Sequence, residues 1–228
     1  MNRLTIEDIR KEFKRLKDAN EYTILKGDVK TIEIVNADFE IGENDTAIFG
    51  ELNEYADREL SWYESMSLNV NDIPGKCPPI WKKCASDDGW INSNYGWCIF
   101  HPSNGNQYKN CLKQLLEDNS TRRACMIYTR PSMQYDWCED GKTDFMCTYS
   151  TQQFIRNNKL VYIVLMRSND AIYGFKNDLY WHRYVANKLI EDLHYNHVNV
   201  DDKPIIYWHA DSLHVYENQF KLIDEYFN

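Results

Sequence analysis

The chain has 228 residues, a formal net charge of −9 and 43% hydrophobic residues, which fits a single domain over 1–228 with apolar material for a sizeable core. The acidic balance excludes a surface built to coat polymeric nucleic acid or anionic membrane, but not a small phosphorylated ligand held by a local basic cluster. No apolar run approaches the roughly 20 residues that span a bilayer, and the charged start MNRLTIEDIRKEF does not read as a signal peptide, so a cytoplasmic location is expected.

In chain order, Ile6, Ile9, Phe13 and Leu16 fall at helical spacing behind Thr5, and predict an amphipathic helix over 6–19 with Thr5 as its N-cap. KTIEIVNADFEI alternates in part like a strand, and GELNEYADRELSWYESM reads as an acidic helix. Residues 72–93 carry three of the six prolines and predict loop with short helical turns. YKNCLKQLLED predicts another helix. From Arg123 the pattern shifts to β-branched and aromatic residues in RACMIYT, FMCTYSTQQFI and KLVYIVLMRS, with Asn157-Asn158 as a hairpin turn. Leu179, Val185, Leu189 and Leu193 mark a helix of about four turns; PIIYWHADSLHVY predicts a last strand and ENQFKLIDEYF a closing helix. Helices first and mostly antiparallel strands later predict an α+β sheet protein.

The seven cysteines, at 77, 84, 98, 111, 125, 138 and 147, include no CxxC pair, so neither a zinc site nor a redox dithiol is expected and no metal is invoked. Reduced thiols packed as small apolar residues are the default. Cys147 falls within a predicted strand, where a core thiol is the ordinary outcome; a nucleophile there needs a cation, and Arg122, Arg123 and Arg167 are available. Arg122-Arg123 is either a solvated pair or a phosphate clamp, because a guanidinium donates two parallel hydrogen bonds to phosphate oxygens. Arg167-Ser168 at a strand end adds to such a clamp. Glu59 is either a solvated helix acid or, partly buried beside Leu60, Trp62 and Tyr63, a base. His214 and Tyr216, two apart on a strand, face one side, as a core pair or as ligand-binding groups.

Six blocks, RELSW, IWKKCASDDGWINSNYGW, STRRACMIYTRPS, DFMCT, RSNDAIYGFKND and SLHVY, occur in the order and at nearly the spacing of the signature blocks of the thymidylate synthase family. The chain resembles that family from about Lys26 to its end. The resemblance implies a thymidylate synthase-like α+β fold, a largely antiparallel or mixed sheet packed with helices, and a sheet face forming a homodimer interface. It implies Cys147 as the nucleophile that adds to carbon 6 of a pyrimidine nucleotide, with Arg167 and Ser168 on the phosphate from the same subunit and Arg122 and Arg123 from the other. His214 and Tyr216 match the sugar-hydroxyl pair, Glu59 the carboxylate that organises water and protons near carbon 5, Trp81 and Asp170 the folate side, and Tyr95 the network behind the nucleophile. Lys26 stands where the family places a mobile phosphate-reaching arginine. The co-substrate implied is 5,10-methylenetetrahydrofolate.

Departures from the family pattern refine that picture. Met146-Cys147-Thr148 replaces Pro-Cys-His, and Met166 replaces a glutamine before Arg167. The chain ends at Asn228, so the tail that closes the folate site of synthases is expected to be absent or differently built. Where synthases acting on uracil place an asparagine, this chain has Asp178. A carboxyl group accepts from the amino group of cytosine and shares a proton with the ring nitrogen, which an amide cannot do; alternatively Asp178 caps the following helix. The expected activity is conversion of dCMP, methylenetetrahydrofolate and water to 5-hydroxymethyl-dCMP. The alternatives are a methylating or hydroxymethylating enzyme acting on dUMP, an enzyme acting on CMP, and a silent relative that only binds nucleotide or RNA.

Overall fold

A computed structural model describes residues 3–228. Strand β1 (Leu4–Thr5) leads into helix α1 (Ile6–Asp18), where Thr5 and Asp8 form a reciprocal capping box and Ile6, Ile9, Phe13 and Leu16 are buried. β2 (Thr23–Ile24) and the long β3 (Lys30–Ile41) follow, then α2 (Tyr55–Ser65), α3 (Pro79–Cys84), α4 (Tyr95–Phe100) and α5 (Gln107–Glu117). β4 (Cys125–Ile127), α6 (Met133–Asp136), β5 (Thr148–Arg156), β6 (Lys159–Met166) and β7 (Asn169–Asp170) precede α7 (Gly174–Tyr195), β8 (Ile205–Tyr216) and α8 (Phe220–Phe227).

The sheet runs β1-β3-β8-β6-β5-β4, with β2 paired to β3 and β7 to β8. β3–β8 and β5–β6 are antiparallel, and β6–β8 is parallel. A parallel neighbour needs a crossover. Here that crossover is α7, 22 residues long and about 33 Å from end to end. Its buried face, including Leu179, Trp181, Val185, Leu189 and Leu193, packs into the core. Asn157 and Asn158 turn the β5–β6 hairpin with φ of 51° and 58°, the left-handed pair a two-residue hairpin requires.

Several expected boundaries move. α7 spans about six turns rather than four, because its first two turns carry Lys176 and Asp178, polar residues that mask the apolar period. α2 starts at Tyr55, where Asn53 accepts the Tyr55 N–H, rather than at Gly50. β4 keeps three of the seven residues predicted, and β5 begins at Thr148, so Cys147 stands one residue ahead of the strand instead of inside it.

One irregularity in the sheet matters for function. On β8 the buried apolar residues are Ile206, Trp208 and Ala210, and then Leu213 and Val215, so the core-facing set changes parity near Asp211. The partner strand does the same where Asn36 adopts φ 60°, and β5 shifts register between Thr148 and Ser150. Since alternate strand residues face opposite sides, such a break sends the side chains beyond it to the other face. Beyond the break, His214 and Tyr216 leave the core-facing set and line a cavity, whose wall also includes Arg167 and Cys147.

Close approach of α4 to α2 sets a second wall. A Cβ on Gly96 would lie 1.7 Å from the carbonyl oxygen of Tyr63. The bare backbone lets Tyr63 and Tyr95 stack at 5.2 Å between ring centroids. Gly96→Ala is therefore expected to lower unfolding stability by about 2–3 kcal/mol, the range for overpacking a tight contact, read as a fall in the denaturant midpoint at unchanged slope.

Candidate active site

Beyond the break in the sheet lies a cavity of about 560 Å³ lined from α2, α3, α4, the segment before β5, the β6–α7 connection and the end of β8. It brings together Glu59, Trp81, Tyr95, Cys147, Arg167, Ser168, Asp170, Asp178, His214 and Tyr216, ten of the thirteen residues singled out from the sequence. A larger cavity of about 1310 Å³ adjoins it through Tyr55, Ile80, Asp170, Tyr173, Asn177 and Tyr216, and carries Arg58, Lys76, Lys83 and Lys176.

Cys147 is half-buried on the turn into β5. Arg167, at the end of β6, wraps that turn. Its backbone N–H donates to the Cys147 carbonyl at 2.8 Å, Nε to the Met146 carbonyl at 3.3 Å and Nη2 to the Phe145 carbonyl at 3.4 Å, which leaves Nη2 3.9 Å from the Cys147 Sγ. Arg167 favours the thiolate, as expected of a nucleophile's cation. Burial outweighs it: desolvation first, and the charge of Asp178 second, push the thiol up to about 11. Arg122 and Arg123 do not contribute within this chain, for both are exposed on the segment before β4 and border neither cavity. Lys26 is exposed and lines neither cavity, although its neighbours Gly27 and Asp28 line the larger one.

Two enclosed carboxyl groups line the same cavity as the thiol. Glu59, 6% exposed, accepts from the Tyr55 hydroxyl at 2.7 Å and from Trp81 Nε1 at 3.2 Å. Burial pushes it up to about 7 in spite of those two bonds, the range of a group that takes and returns protons near neutrality. Asp178 lies in the second turn of α7, past the helix start, so it is not a cap; Asp170 holds the turn ahead of the helix, its Oδ1 accepting the N–H groups of Ile172 at 2.8 Å and Tyr173 at 3.3 Å. Asp178 Oδ2 accepts from Asn169 Nδ2 at 2.7 Å, and the Tyr95 hydroxyl approaches the same carboxyl. Burial, and then the charge of Glu59, drive Asp178 well above the usual carboxylate range. Both influences favour the protonated form, and no cation among the described residues offsets them.

Near the end of β8, burial pushes the His214 imidazole below its ordinary value. Its Nδ1 lies 3.4 Å from the Ser212 carbonyl, and Ser212 in turn donates to Glu33. That arrangement fixes the Nδ1–H tautomer and leaves Nε2 as an acceptor. His214 and Tyr216 do face one side, their rings 5.0 Å apart.

Several cavity residues carried no signal in the sequence. Tyr55 bridges Trp81 Nε1, at 2.8 Å, and Glu59. Asn169, 2% exposed, holds Asp178. Asp144 accepts from the Asn92 backbone at 2.8 Å and the Asn92 amide at 3.1 Å, which ties the segment before Cys147 to the segment before α4. Apart from Tyr55–Glu59, four apart on α2, these are tertiary pairings between residues 9 to 52 positions apart, which no local pattern announces. Among the described residues no group of three or more His, Cys, Asp or Glu side chains is placed to hold a metal ion.

Comparison with known proteins gives a consistent result. The family model described as thymidylate synthase matches residues 52–228. Deoxycytidylate 5-hydroxymethyltransferase of Enterobacteria phage T2 is 47% identical over 227 residues, covering 99% of this chain and 92% of the phage protein. The protein of that name from Enterobacteria phage T4 is 47% identical over 225 residues, covering 98% and 91%. Among solved structures, thermostable thymidylate synthase A from Bacillus subtilis superimposes with a TM-score of 0.65 at 20% identity, over 86% of this chain and 70% of that one. The α+β architecture, the family model and the near full-length identity agree: this chain belongs to the thymidylate synthase family.

Proposed function

We propose that this chain is a deoxycytidylate 5-hydroxymethyltransferase, which forms 5-hydroxymethyl-dCMP and tetrahydrofolate from dCMP, 5,10-methylenetetrahydrofolate and water. Identity of 47% over nearly its whole length to phage proteins of that name supports the activity. The observation that carries the choice of base is Asp178, a carboxyl enclosed in the cavity that contains the thiol, where burial favours its neutral form. A neutral carboxyl offers one O–H donor and one acceptor, which match the ring nitrogen and the amino group of cytosine.

Arg167 and Ser168 bind the phosphate, and His214 and Tyr216 the sugar hydroxyl. Arg167 also stabilises the Cys147 thiolate, which bonds to carbon 6 of the base while Asp178 shares its proton with N3 and draws electrons from that carbon. Carbon 5 becomes nucleophilic, and methylenetetrahydrofolate supplies the one-carbon unit to it. The carbon 5 proton departs through water beside Glu59, and loss of tetrahydrofolate leaves an exocyclic methylene. Water held near Glu59 and Tyr55 adds its oxygen there; the electron pair returns to carbon 6 and expels the thiolate. No hydride moves, so no dihydrofolate forms. The larger cavity suits the folate: Asp170 lines it where it meets the smaller cavity, on whose wall Trp81 stands, and Arg58, Lys76, Lys83 and Lys176 offer positive charge to an anionic tail.

The working unit in this proposal is a homodimer. β6 alternates buried Leu160, Tyr162, Val164 and Met166 with half-buried Val161, Ile163 and Leu165, and Val35 on β3 is 72% exposed. A second copy against this apolar face would cover it. Arg122 and Arg123, exposed and remote from the cavity of their own chain, complete the phosphate site of the partner. No helix among the described residues is long and apolar enough to cross a membrane, and action in a host cytoplasm accords with the phage origin of the relatives.

Asp178→Asn is expected to lower kcat for dCMP by about 100-fold or more, the scale of a lost proton donor, while dCMP binding through its phosphate changes by less than about threefold. Full dCMP activity in that variant with no gain on dUMP would contradict the assignment. Release of tritium from carbon 5 of dCMP is expected without any rise in dihydrofolate absorbance, and should vanish in Cys147→Ala; dihydrofolate accumulating in step with product would instead identify a methylating enzyme, and no tritium release a mere binder.

A further inference from the structure

A neutral carboxyl is ambiguous as a reader of pyrimidines. With its proton on the oxygen facing N3 and a bare oxygen facing the exocyclic group, it complements cytosine. With the proton on the other oxygen, it accepts from N3–H of uracil and donates to O4. Burial and proton uptake alone do not decide between these two forms, so something must place the proton.

We propose that Asn169 places it, and so acts as the positioning residue for base selection. Asn169 is 2% exposed on β7, and its Nδ2 donates to Asp178 Oδ2 at 2.7 Å. An amide N–H can only donate, so it keeps Oδ2 an acceptor and leaves the proton on Oδ1. The Tyr95 hydroxyl near the same carboxyl both donates and accepts, and adapts to either form. Oδ1 of Asn169 is buried with no hydrogen-bond partner. Beside Oδ2 the Asn169 N–H is already engaged, while the oxygen of the same amide is an acceptor still without a donor. A base that brings an amino group to Oδ2 meets that need; a base that brings O4 adds a third acceptor to the same place. The segment also fits the task by position, since Asn169 directly follows Arg167-Ser168 and β7 pairs in register with His214 through Asp170. Phosphate, sugar and base contacts thus come from one short rigid unit.

This inference rests on the proposed action at cytosine and deepens it. The test compares wild type, Asn169→Leu and Asn169→Ala, measuring kcat/KM for dCMP and for dUMP by tritium release from carbon 5, with a thermal melt on each protein. In Asn169→Leu, kcat/KM for dCMP is expected to fall about ten- to a hundredfold, the effect of a buried hydrogen bond lost at a polar group, while that for dUMP holds or rises. The dCMP-to-dUMP ratio therefore collapses by about tenfold or more. A purely structural role would lower both substrates together and leave the ratio in place, which would overturn the proposal. Asn169→Ala removes the amide without adding bulk, and gives the same reading if the leucine variant does not fold. Wild type that turns over dUMP and not dCMP would overturn the cytosine reading itself; a wild-type cytosine preference that survives in both variants would overturn only the role of Asn169.

Discussion

Asp178 sits enclosed by protein and no cation among the described residues stands against it: Asn169 donates to it, Tyr95 approaches it, and Glu59 repels its charge. Burying an unpaired carboxylate costs several kcal/mol, and the usual outcome is that the group takes up a proton. The rest of the site follows from that constraint. Arg167, the cation nearest the thiol in this chain, is engaged with the carbonyls of Phe145 and Met146 instead of neutralising a carboxylate. A neutral Asp178 also removes the second largest influence raising the Cys147 thiol, so that proton uptake by the acid and ionisation of the nucleophile favour one another. Glu59, at about 7, is left as the group able to exchange protons with water near neutral pH.

The fold supplies this environment through irregular backbone rather than through a special motif. The parity change near Asn36 and Asp211 lets β8 serve the core at Trp208 and the site at His214. The register shift at the start of β5 accompanies the turn that carries Cys147. α7 connects two parallel neighbours in the sheet, and its second turn lowers Asp178 into the cavity floor. Gly96 allows the tyrosine stack that seals one wall. Each is a local departure from regular structure whose cost is offset by a core of large side chains, among them Trp62, Trp181 and Trp208.

Much of this was legible in the sequence, for physical reasons that differ by element. α1 could be read because its cap and its apolar spacing agree. The β5–β6 hairpin could be read because few residues other than Asn and Gly take left-handed backbone in succession. The start of α7 was hidden, since a helix whose first turn faces a polar cavity has no apolar period there. The site residues were legible through the resemblance of their blocks to one family, while Tyr55, Asn169 and Asp144 were not, because their roles depend on contacts between separate segments. The height of the Cys147 pKa was equally invisible, being set by burial that outweighs the arginine beside it.

The central claim is that Asp178 carries a proton in the free enzyme at neutral pH. The direct measurement is the 13C chemical shift of the Asp178 carboxyl, assigned by comparison with Asp178→Asn and followed as pH is varied. A shift characteristic of a neutral acid at pH 7, with ionisation only far above the ordinary carboxylate range, is the expected result. Titration near pH 4, the value of an exposed aspartate, would contradict the account at its base.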